Sequence, residues 1–94
     1  MTLLERVKIA NRITTSAYDD ELEELIKEAK ADLGLKGIDL FGKEEDANIR
    51  RAIVVYCCIH HGQREDREML QRSYDDLKSR LSMSTGYTKW GSAG

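Results

Sequence analysis

The most reactive side chains of this chain fall in one short run, Cys57-Cys58-Ile59-His60-His61. On a helix, Cys57 would share a face with His60 (i, i+3) and with His61 (i, i+4), two ligands of the kind that hold zinc. A structural zinc needs four, and the chain has no other cysteine or histidine. A single chain could add only Cys58 or carboxylates in poor geometry, so no metal site is expected. The plainer roles are thiols that fill small gaps as hydrophobes and imidazoles that suit the negative end of a helix dipole. A mutual disulfide between adjacent cysteines is strained, which makes reduced thiols the expectation.

Carboxylates are plentiful, yet Asp19-Asp20, Glu23-Glu24 and Asp75-Asp76 fall where helix caps and solvated helix faces belong. No serine or cysteine stands in a nucleophile motif, and no glycine-rich loop is built to cradle phosphate. These residues predict neither an enzyme nor a bound cofactor. Arg50, Arg51, Arg64, Arg67, Arg72, Lys78 and Arg80 concentrate in the second half and raise DNA binding as the alternative function, a small helical DNA-binding regulator. Against it, the segment that would have to read bases opens Arg-Glu-Asp-Arg-Glu from Arg64, and its acids oppose phosphate. The net charge of −2 lacks the basic excess of a dedicated nucleic-acid binder.

The elements that carry these residues are helical by composition and period. Proline is absent, and Leu3, Leu4, Val7 and Ala10 recur at helical spacing, predicting a first helix over 2–12. Thr14-Thr15-Ser16 reads as a loop, with Asp19 or Asp20 capping the next helix. Leu22, Leu25, Ile26, Ala29 and Leu33 then form one apolar stripe, with Glu23 and Lys27 paired on the outer side and Gly34 as a left-handed cap. A loop over 36–43 brings Ile38, Leu40 and Phe41 as apolar anchors. A third helix should open on the acids Glu44, Glu45 and Asp46 and run to about His61. Its middle, 52–59, is apolar around the whole circumference, as in a helix surrounded by others or by neighbouring subunits. Ile53, Val54, Val55 and Tyr56 also favour strand, but no second strand candidate exists to pair with them. Leu70, Tyr74, Leu77 and Leu81 predict a fourth helix near 64–83.

From Ser82 the pattern gives way to a polar, glycine-bearing tail whose large apolar groups are Tyr87 and Trp90. A flexible C-terminal arm is predicted over 85–94, beyond a single helical domain over 1–84. Aromatics on such an arm suit docking to a partner. The chain of 94 residues holds no run near the roughly 20 apolar residues of a membrane span and no secretory core at its start, so a soluble, intracellular protein is expected. Charge divides unevenly: residues 1–46 carry seven Lys and Arg against twelve Asp and Glu, and residues 47–94 carry eight against five. Opposite halves of this kind could complement one another between copies.

In order along the chain, Leu3-Leu4-Glu5-Arg6-Val7-Lys8, the stripe over 19–33, the run 52–56, and Ser73-Tyr74-Asp75-Asp76-Leu77-Lys78-Ser79-Arg80-Leu81 followed by Gly86-Tyr87 resemble the small head-tail connector proteins of tailed bacteriophages and prophages. The resemblance implies an all-α adaptor of about four helices with a C-terminal arm. It implies a homo-oligomeric ring of about a dozen copies beneath the portal of the virion, through which DNA passes and to which tail or stopper proteins attach. The arm that meets the portal protein would be Tyr87, Thr88, Lys89 and Trp90. Arg50, Arg51, Val54 and Val55 of the third helix are the candidate contacts between subunits, and the ring would form in the bacterial host cytoplasm during assembly.

Overall fold

The computed structural model describes residues 2–35, 46–61 and 65–83. The predicted loop over 36–43, Glu44 and Glu45, and the arm over 85–94 with Tyr87, Thr88, Lys89 and Trp90 lie outside them. Among the described residues the fold is made of four helices: α1 (Leu3–Ala10), α2 (Asp19–Leu35), α3 (Ala47–His60) and α4 (Arg67–Met83). Among the described residues there is no strand, so Ile53 to Tyr56 are helical as the missing partner strand requires.

Helix α1 starts on a capping box. Thr2 Oγ1 accepts from the Glu5 amide at 3.1 Å, and Glu5 Oε1 accepts from the Thr2 amide at 3.3 Å. The helix stops at Ala10, two residues short of the periodicity's reading, because Arg12 turns into the left-handed region at φ 57°. Its amide bonds Ile9 O at 3.1 Å and the Ile13 amide reaches back to Lys8 O at 2.8 Å, the paired bonds of a Schellman cap. Arginine occupies the position that glycine fills without steric cost. Arg12→Gly is therefore expected to raise stability by about 0.5–1 kcal/mol, the left-handed penalty of ~1–2 kcal/mol less glycine's extra unfolded freedom. The midpoint of urea unfolding reads this directly.

Helix α2 departs from expectation at both ends. Asp19 and Asp20 lie inside its first turn instead of capping it, and Asp19 pairs with Lys8 of α1 at 2.9 Å. Gly34 is not a left-handed cap: α2 runs through it to Leu35. A glycine inside a helix is tolerated when packing holds its neighbours, and Leu33 beside it is fully buried. On the outer face Lys27 meets Glu24 at 3.6 Å, not Glu23, since three residues back is as near on a helix as four.

Helix α3 is the centre of the molecule and packs against each of the other three. Asp46 is its N-cap and accepts from the Asn48 and Ile49 amides at 2.9 and 3.1 Å, so the acid at 46 caps the helix rather than opening it. Ile49, Ala52, Ile53, Cys57, Cys58 and Ile59 are buried, while Val54, Val55 and Tyr56 of the same apolar run are half-buried, so the helix is not covered on every side. Ile49, Ala52, Ile53, Cys57 and Ile59 form one core with Val7 from α1, Leu22, Ile26, Ala29 and Leu33 from α2, and Tyr74 and Leu81 from α4. Ala10, counted in the apolar stripe of α1, is exposed.

Candidate functional site

Two features stand out on this scaffold, a polar cluster that locks α2 to α4 and an open groove between α1, α3 and α4. The cluster is built on Asp32 of α2. Tyr74 donates its hydroxyl to Asp32 Oδ2 at 2.6 Å, and Lys78 Nζ donates to the same oxygen at 3.0 Å while lying 5.1 Å from the Tyr74 ring centroid. Tyr56 meets Tyr74 edge-on at 5.5 Å and packs on His60 at 4.2 Å. Burial raises the pKa of the Tyr74 hydroxyl, and the Asp32 carboxylate it faces raises it further, so it stays a donor. Burial pushes the Asp32 carboxyl up as well, but the Tyr74 and Lys78 hydrogen bonds outweigh that and hold it below its ordinary value.

That direction fixes the pH dependence. A carboxyl depressed in the folded state contributes stability above its unfolded value, near ~3.9, and loses it as pH falls through the folded value. Asp32→Asn is accordingly expected to lower stability at neutral pH and to flatten its fall below about pH 4. Thermal unfolding across pH 2–7, expressed as ~5 steps for each protein, shows whether the two curves converge in acid.

The groove holds ≈ 920 Å³ and is lined by Arg6, Ile9 and Ala10 of α1, by Ala47, Arg50, Arg51, Val54, Val55 and Cys58 of α3, and by Leu70 of α4. It brings together all four residues named as subunit contacts, Arg50, Arg51, Val54 and Val55. They do not play equal parts. Arg50 is 7% exposed and packs into the wall, while Arg51 is exposed and Val54 and Val55 are half-buried. The half-buried part of the lining is therefore apolar, and two exposed arginines, Arg6 of α1 and Arg51 of α3, add cationic charge to it.

The sequence reading missed the α1 side of this groove. Its signal was Ile9, an apolar residue off the stripe of Leu3, Leu4 and Val7, and here 62% exposed. A large aliphatic group turned to solvent beside guanidinium groups is the composition of contact surfaces, in which arginine is enriched.

The cysteine and histidine run has no reactive geometry in this setting. Cys57 and Cys58 are buried free thiols, and burial, then the neighbouring Cys58 and Glu28, push the Cys57 thiol up to about 12. Such a thiol is a poor nucleophile and a poor metal ligand. His61 turns away to Tyr18, edge-on at 5.3 Å, and to Glu21 at 3.7 Å. Among the described residues no three His, Cys, Asp or Glu side chains are placed to hold a metal ion, and no helix is long and apolar enough to cross a membrane.

Compared with known proteins, the chain matches no family model, no curated protein and no solved structure. The groove itself carries the functional reading.

Proposed function

We propose that this chain is a structural assembly protein, a head-tail connector of a tailed bacteriophage that forms a ring beneath the portal and offers its far side to tail or stopper proteins. The observation that carries the reading is the Arg-rimmed apolar groove of α1, α3 and α4, where Arg50, Arg51, Val54 and Val55 meet. The sequence resemblance supplies the biological setting.

Chemically, the groove suits a protein surface. Covering its apolar lining removes hydrocarbon from water at about 25 cal/mol per Å², while the guanidinium rim sets which partner fits and in which register. A nucleic-acid backbone would meet the charges but gain nothing from the apolar lining of Ile9, Val54, Val55 and Leu70. Rings follow when one surface of a copy meets a different surface of the next and the rotation closes.

Solution mass of the full chain, alone and mixed with the portal protein of the same virus, is the test. Co-migration with portal and a mass far above the 10.7 kDa of one chain are expected. Removing 86–94 should leave the helical content intact and abolish the co-migration, because the resemblance assigns portal contact to Tyr87, Thr88, Lys89 and Trp90. A chain that stays monomeric and ignores portal, yet shifts a DNA fragment in a salt-sensitive and sequence-dependent way, contradicts the proposal and favours the regulator.

A further inference from the structure

The groove has a cationic rim, and the same molecule carries an acidic counterpart on another face. Glu21, Glu24 and Glu28 of α2 are exposed and follow one another at spacings of three and four, a like-charged row that costs its own helix a few tenths of a kcal/mol per pair. Two apolar groups flank the row at the same spacing: Tyr18, 45% exposed, and the half-buried Leu25. Their present polar partners are weak ones, His61 at 3.7 Å from Glu21 and Lys27 at 3.6 Å from Glu24. Arg6 and Arg51 make no ion pair among the described residues.

The two surfaces cannot meet within one copy. Ala47, Val54 and Cys58 turn one side of α3 to the groove, whereas Tyr56 and His60 lie on the side toward Asp32 of α2. At about 100° per residue those directions differ by roughly half a turn, so α2 and the groove sit on opposite sides of the central helix.

We propose that the groove receives the Tyr18–Glu28 flank of α2 from a second copy, with Tyr18 and Leu25 against the apolar floor and the row of glutamates against Arg6 and Arg51. This inference rests on reading the groove as a contact between protein chains and adds which chain and which face. The contact is heterologous, one face against a different face, so it leaves a free groove and a free flank at the ends of any open assembly.

Charge exchange tests it on the full chain, with sedimentation equilibrium as the readout and circular dichroism to certify the fold. The wild-type chain is expected to self-associate at low salt and less so at high salt. Arg6→Glu with Arg51→Glu, or Glu24→Lys with Glu28→Lys, should each weaken association by about tenfold or more, because like charges then face each other. All four changes in one chain should restore it to within about threefold of wild type, since the pairs are opposite again. If a reversed variant loses helicity, Arg6→Gln with Arg51→Gln takes its place, with a loss of about threefold expected. A wild-type chain that is monomeric up to about 1 mM overturns this inference and leaves portal docking to its own test. Association that reversal at either face does not change overturns it too, while the assembly reading stands.

Discussion

Tyr74→Ala is expected to be the most destabilising single change in the chain, removing about 3–5 kcal/mol. Tyr74 is 2% exposed and joins three helices: its ring lies on Tyr56 of α3, and its hydroxyl bonds Asp32 of α2 while it stands on α4. Truncation opens a cavity and also strips Asp32 of its shortest hydrogen bond. Domains of this size are stable by only about 5–15 kcal/mol, so the loss is a large share of the whole. Tyr74→Phe separates the two effects. It keeps the packing and leaves Asp32 with Lys78, and should cost about 1–3 kcal/mol, as for a lost bond to a charged group. Urea unfolding of the three proteins measures both steps, and equal losses for Phe and Ala would place the hydroxyl, not the ring, at the centre of the cluster.

Ile9→Asp is expected to do the reverse, leaving stability nearly unchanged and abolishing assembly. At 62% exposure the side chain contributes little to its own fold, and surface substitutions of this kind move stability by about 0.5 kcal/mol or less. In the groove the same change replaces an apolar contact with a carboxylate beside Arg6, where it also repels an acidic occupant. Losing an anchor of an interface costs about 2 kcal/mol or more, on the order of thirtyfold in affinity. Paired measurements of unfolding midpoint and solution mass should therefore dissociate: the first nearly fixed, the second falling to that of a monomer. A lower midpoint with unchanged mass would assign Ile9 to the core and remove it from the contact.

The periodic elements were legible because burial repeats with the helix. Leu22, Ile26, Ala29 and Leu33 of α2 and Tyr74 and Leu81 of α4 face the core as their spacing requires. Ends were less legible, since local rules were overridden by neighbours. Gly34 reads as a stop yet stays helical beside buried Leu33, and Arg12 takes a left-handed cap that its type does not favour. The groove was half legible. Arg50, Arg51, Val54 and Val55 belong to one helix, so spacing alone collects them. Arg6, Ile9 and Leu70 come from other helices, and only their crossing brings them to the same place. The Asp32 cluster joins residues 42 and 46 positions apart, a separation at which periodicity carries no information.

Among all tests, electron microscopy of purified portal with and without this chain bears most directly on the proposed role. An added layer of ring-shaped density beneath the portal, lost with Ile9→Asp or with the removal of 86–94, is the predicted image. Portal particles that look the same in the presence of excess chain, with the chain recovered as free monomer, would contradict the connector role.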